Sequence, residues 1–177
     1  MKNLILTEAK KLTIENGVVF LMEDLAKSLG ISKKTIYKHF KNKEEIIENF
    51  IVQAHHDIKE KQRLIYDKPI SLLEKIKELL QVIPVNSELF TDENLKNLNI
   101  YFPKLYRKVE NFFESDWERT YSLLDEAKEK SLIKNIDNGL FKQLYLCGCL
   151  YDNFNNKKAY RERLIDLTDY LFEGIKN

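Results

Sequence analysis

Met22, Leu25, Ala26 and Leu29 fall at i, i+3, i+4 and i+7; Gly30 interrupts, and Ile36 with Phe40 resumes the spacing after Ser32. Residues at that spacing line one face of a helix, so this stretch is expected to form two short helices across a tight glycine turn. Ser32 can cap the second, its hydroxyl accepting an orphan backbone N–H of the first turn. Helix, short turn and short helix make a helix-turn-helix layout, in which the second helix enters the DNA major groove.

The charges around that turn share one sign. Lys27, Lys33, Lys34, Lys38, Lys41 and Lys43 are basic, no acid interrupts them, and the acids resume at Glu44. A solvated helix face usually alternates signs, and lysine runs are commonly no more than that. Joined to the turn geometry, the run favours a surface for an anionic partner. The argument has to be local, because the formal net charge is only +1.

The rest of the chain reads as helices. Five glycines and three prolines in 177 residues leave few turn signals, and 44% hydrophobic with 32% charged residues suits a globular chain. Leu4, Ile5, Ala9 and Leu12 mark a first helix, stopped near Gly17. A long helix starts near Glu44 and runs to about Tyr66. Further helices are expected at Ser71–Ile83 (stopped by Pro84), Thr91–Phe102, Pro103–Lys130, Leu140–Phe154 and Tyr160–Lys176. No strand and no internal repeat is evident. The expectation is an all-α chain of about nine helices: a three-helix DNA-binding domain over residues 1–46 and a larger helical body over 47–177, to which the family resemblance given next assigns effector binding and dimerisation. No apolar run approaches the ~20 residues of a membrane span. The opening MKNLILTEAKK has too short an apolar run for a signal peptide. Cys147 and Cys149 offer no disulfide framework, and the simple expectation is a reducing, cytoplasmic setting.

The run DLAKSLGISKKTIYKHFKNKEEI, Asp24 to Ile46, resembles the signature of the tetracycline-repressor (TetR) family of bacterial transcription regulators. The turn, the Tyr-x-His-Phe step and the Lys-Glu helix start all match, over roughly the first 50 residues. The resemblance implies that Ser32 caps the recognition helix and that Lys33, Lys34 and Thr35 approach bases or phosphates. It implies backbone phosphate contacts from Tyr37, His39 and Lys43, with Lys38 a further base or phosphate candidate. Ile36 and Phe40 would anchor the helix. The family usually carries a hydroxyl pair before its second helix; Phe20 and Leu21 stand there instead, so that helix lacks an obvious cap and a phosphate contact is expected to be missing.

The same resemblance implies a small-molecule pocket in the body, with Tyr66, Tyr101, Phe102, Tyr106, Phe113, Trp117 and Tyr121 as aromatic candidates alongside Phe90 and Phe112. It also implies a two-fold dimer through the last two helices, with Leu144, Gly148, Tyr151, Leu164, Leu167 and Leu171 as interface candidates. The ordinary alternative is that these residues fill the monomer core. His55, His56 and Glu60 lack the third ligand a transition-metal site needs, so neither metal nor cofactor is expected. Cys147 and Cys149, two apart on a helix, point to different sides. The expected function is a regulator, more often a repressor, binding a pseudopalindromic operator as a dimer and released by an effector. Two alternatives stand beside it: a DNA-binding dimer that senses nothing, and a ligand-binding or enzymatic body with an incidental basic head. No nucleophile–base pair, phosphate-binding glycine loop or metal constellation supports catalysis.

Overall fold

A computed structural model describes residues 1–82, 91–150 and 157–177 of the chain, and among them it is all-α. The described helices are α1 (Lys2–Asn16), α2 (Met22–Ser28), α3 (Lys33–Tyr37), α4 (Lys43–Tyr66), α5 (Leu72–Leu80), α6 (Asp92–Tyr101), α7 (Pro103–Glu129), α8 (Asn138–Leu150) and α9 (Lys157–Ile175). The expected stops at Ile83–Pro84 and Phe154, the aromatic Phe90 and the interface candidate Tyr151 lie outside the described residues, as does the side chain of Cys149. One isolated antiparallel bridge, Ile133 with Lys176, is the extended pairing found among the described residues. No described helix is long and apolar enough to cross a membrane.

The chain divides into two compact units: residues 1–57 with 84–112, and residues 58–83 with 113–177. The boundary expected at residue 46 falls inside the first of these units.

In the first unit the three short helices of the head do not bury their apolar faces alone. Ile5, Ala9 and Leu12 of α1, Met22, Leu25 and Ala26 of α2, and Ile36 of α3 share one core with Ile46, Ile47, Phe50 and Ile51 of α4. Leu98 of α6 and Leu105 and Val109 of α7 complete it. Pro103 opens α7, where its missing N–H is one of the helix's unpaired donors in any case. Lys108 of α7 pairs with Glu48 of α4 at 2.7 Å. The His55 ring stacks on Phe112 with centroids 3.8 Å apart, so that imidazole lies against an aromatic face.

The second unit has its own core, built from Ile76, Leu80, Trp117, Leu124, Ala127, Ile133, Phe141, Tyr145, Leu164 and Phe172. α5 starts with a reciprocal cap: Ser71 Oγ accepts the Glu74 amide at 3.3 Å, and Glu74 accepts the Ser71 amide at 3.0 Å. The Tyr145 hydroxyl donates to the Leu80 carbonyl, satisfying a buried polar tip, and its ring meets Trp117 edge-on at 5.5 Å. Lys77 of α5 pairs with Asp169 of α9 at 2.7 Å.

Candidate nucleic-acid interface

The turn between α2 and α3 is fixed by backbone geometry. Gly30 has φ +64°, a left-handed conformation that glycine adopts without a Cβ penalty. The Gly30 amide donates to Lys27 O at 3.1 Å and the Ile31 amide to Ala26 O at 3.0 Å, the paired bonds of a Schellman stop. Ser32 then caps α3, accepting the Thr35 amide at 3.1 Å, while the two hydroxyls lie 2.9 Å apart. Ile36 and Phe40 are buried, as their spacing predicts, and the Lys2 ammonium lies 5.1 Å from the Phe40 ring centroid. The helix itself covers five residues; beyond Tyr37 the chain continues in turns, with the His39 amide bonded to Ile36 O at 2.9 Å.

This framework brings Ser32, Lys34, Thr35, Tyr37, Lys38 and His39 together on α3 and its exit. Tyr37 is 48% exposed, and Lys34, Lys38 and His39 are exposed as well. Lys27 and Lys41 flank them, also exposed, and among the described residues none of Lys27, Lys34, Lys38 and Lys41 is drawn into an ion pair. Long cations and a phenol on one rigid face are groups that hold phosphate oxygens and reach base edges.

Lys33 and Lys43 have partners within the chain. Lys33 forms an ion pair with Glu23 of α2; the hydrogen bond to that carboxylate holds the ammonium pKa up, and the same bond holds Glu23 down. Lys43, the first residue of α4, is turned inward. Its ammonium donates to the Phe20 carbonyl and lies 4.3 Å from the Phe20 ring centroid and 5.8 Å from that of Phe102. Burial pushes its pKa down to about 8. As expected, α2 has no side-chain cap: Leu21 stands at its N-cap position, exposed, while Phe20 is buried. Glu23 and Asp24 in the first turn favour its dipole instead.

Sequence reasoning placed Glu45 at the start of α4 but missed two residues that shape this region, Asn42 and Asn94. Asn42 accepts the Glu45 amide at 2.8 Å and Glu45 accepts the Lys41 amide at 2.6 Å, which fixes the start of α4. Asn followed three residues later by Glu is a readable helix-start signal. Asn94 of α6 accepts the Val18 amide at 3.1 Å, and nothing local in the sequence announces that link.

The aromatic candidates divide. Tyr101, Phe102 and Tyr106 belong to the first unit and Tyr66, Phe113, Trp117 and Tyr121 to the second. Phe102 and Tyr106 pack on the first core, Tyr101 is 59% exposed, and Trp117 lies in the second core with Tyr121 against it. Arg119 stacks its guanidinium 3.4 Å from the Tyr66 ring centroid. Of the interface candidates, Leu164 is buried in the second core, and Leu167 and Leu171 pack against it. Leu144 is 52% exposed. Gly148 is a point of close approach within the chain, since a Cβ there would meet Leu167 Cδ2 at 2.6 Å.

Residues 5–50 match the family model described as bacterial regulatory proteins, tetR family. Over 181 aligned residues, 99% of this chain and 95% of the relative, the chain is 31% identical to YvaF, an HTH-type transcriptional regulator of Bacillus subtilis (strain 168). The chain belongs to the tetR family. It is a DNA-binding transcription regulator of the helix-turn-helix kind, and not an enzyme. Solved structures of transcriptional regulators share its fold over almost the whole chain. The ketosteroid transcriptional regulator KstR2 of Mycobacterium tuberculosis superposes with a TM-score of 0.80 at 15% identity, covering 99% of this chain and 95% of that one. PfmR of Thermus thermophilus does so with a TM-score of 0.79 at 20% identity, covering 98% and 99%.

Proposed function

We propose that the protein is a cytoplasmic homodimeric repressor that binds a pseudopalindromic operator through two copies of α3 and leaves it when a small molecule binds the helical body. The observation that carries the reading is the basic face of α3 and its flanks, where Lys27, Lys34, Lys38 and Lys41 are exposed and none is drawn into an ion pair among the described residues. Ser32, Thr35, Tyr37 and His39 add donors beside them. Dimerisation is supported by Leu140, Leu144 and Tyr170, large apolar residues left exposed on α8 and α9. Two-fold symmetry requires half-sites about 34–36 Å apart, one turn of duplex. The effector must bind the state with lower DNA affinity better than the other.

Selection of bound duplexes from a random pool, followed by footprinting, tests symmetry and spacing together. If these four lysines of each protomer reach phosphates, eight counterions leave on binding and the log–log salt slope is about −7. Binding with a slope near zero, or recovered sites without two-fold symmetry, would refute the reading. A second reading is a dimeric regulator without an effector. Thermal shifts against cationic drugs, acyl-CoAs and aromatic metabolites separate the two; silence across all of them favours the second.

A further inference from the structure

Within the second unit, two contacts tie the last turns of α4 to the middle of α7. Lys59 of α4 pairs with Asp116 of α7 at 2.5 Å, and the Arg119 guanidinium stacks on the Tyr66 ring. Gln62 stands between these ties on α4, four residues before Tyr66 and therefore on the same face. Thr120 stands four residues after Asp116 on α7 and shares its face in the same way. Gln62 and Thr120 are only 8% and 5% exposed, yet neither side chain has a hydrogen-bond partner among the described residues. The Tyr66 hydroxyl is also buried without one.

A buried hydroxyl or carboxamide without a partner costs stability, and folded chains keep few of them. Three on two helices tied together at that level are what a binding site retains: a few convergent polar groups in an apolar wall. Trp117 and Tyr121, which flank Thr120 on α7 with centroids 5.8 Å apart, supply aromatic surface there. The charges nearby are already engaged. Lys59 and Asp116 neutralise each other, Lys75 donates to the Tyr66 carbonyl at 2.7 Å, and Arg119 lies over the Tyr66 ring. Burial pushes the Tyr66 pKa up, so the phenol stays neutral. The groups left to be met are two hydroxyls and one carboxamide, each able to donate and to accept. An ion would be desolvated here against charges that are already paired, whereas a hydroxyl or carbonyl oxygen is matched. We propose that Gln62, Tyr66 and Thr120 form the binding site of a neutral ligand that carries hydroxyl or carbonyl groups on an apolar frame. The proposal rests on the effector reading above and names the class of that effector.

The test uses the full chain and four probes that share a naphthalene frame and differ in charge. Naphthol and acetylnaphthalene are neutral, naphthoate is an anion and naphthylmethylammonium a cation. Isothermal titration is expected to show saturable binding of the neutral pair, about tenfold tighter than of either ion. Gln62→Leu, Tyr66→Phe and Thr120→Val should each weaken the neutral probes about tenfold. Without ligand, the same variants should melt at or above the wild-type temperature, because each removes a buried polar group that had no partner. Lower melting of ligand-free Tyr66→Phe and Thr120→Val would mean that the chain itself satisfies these groups, and it overturns the proposal. Tighter binding of an ion, no saturable binding of the neutral pair, or neutral binding unchanged in all three variants overturns it as well. Operator release, followed by fluorescence anisotropy, separates the proposal from the reading beneath it. Neutral binding that is lost in the variants but never alters operator affinity refutes the effector reading and leaves the site standing. Release by an ion that binds all three variants as it binds wild type keeps the effector reading and removes this proposal alone.

Discussion

Gly30 and Lys43 mark the two ends of what a single position reveals. Gly30 is legible from sequence because a left-handed turn residue between two amphipathic runs has one usual identity. Nothing lies within 4 Å of where its Cβ would be, so the conformation alone demands glycine. Gly30→Ala is therefore expected to destabilise the protein by about 1 kcal/mol in urea unfolding, with no effect attributable to crowding. Lys43 is legible as a basic residue at a helix start, but its direction depends on Phe102, which is remote in sequence. Its pKa of about 8, against an ordinary 10.5, gives a signed expectation. Below pH 8 both folded and unfolded chains hold the proton. Between 8 and 10.5 the unfolded chain binds it and the folded chain releases it, so stability rises with pH through that window. The wild-type unfolding free energy, minus that of Lys43→Met, should climb over this range. A constant difference would mean that the ammonium titrates as if in water.

At the scale of elements, starts are easier to read than ends. Ser32, Ser71, Thr91 and Pro103 each stand where their helix begins, because capping is a local matter between one side chain and the next turn. The apolar spacing runs on to Phe40, yet α3 stops at Tyr37 and Phe40 reaches the core from a following turn. Periodicity reports which residues face inward and is blind to where the backbone loosens. A five-residue helix depends heavily on its cap. Ser32→Ala should lower stability by about 1 kcal/mol and weaken operator binding as well, read by thermal melting and anisotropy. Unchanged binding would show that α3 is held by Ile36 and its core alone.

For the molecule as a whole, the all-α class follows from composition and periodicity, but the partition of the core does not. Nothing in the sequence tells that Leu98, Leu105 and Val109 close the core of the head, because which amphipathic faces meet is settled by packing between distant segments. Similarly, Leu144, Leu164 and Leu167 share the same kind of stripe, yet Leu164 is buried and Leu144 is not. In the proposed dimer, Leu144 and Tyr170, the latter 77% exposed, would be covered by a second copy of the chain. Replacing both with Glu should halve the mass seen by light scattering and leave the far-UV circular dichroism intact; an unchanged mass would place any interface elsewhere. The Lys33–Glu23 pair reaches beyond affinity, to the time the protein spends finding its site. Any stretch of duplex attracts a free lysine, whereas Lys33 has a carboxylate already in hand. If Lys33 leaves Glu23 only for a base edge that the operator presents, giving up that pair would cost more on random duplex than on the operator, and dwell on random DNA would be the shorter for it.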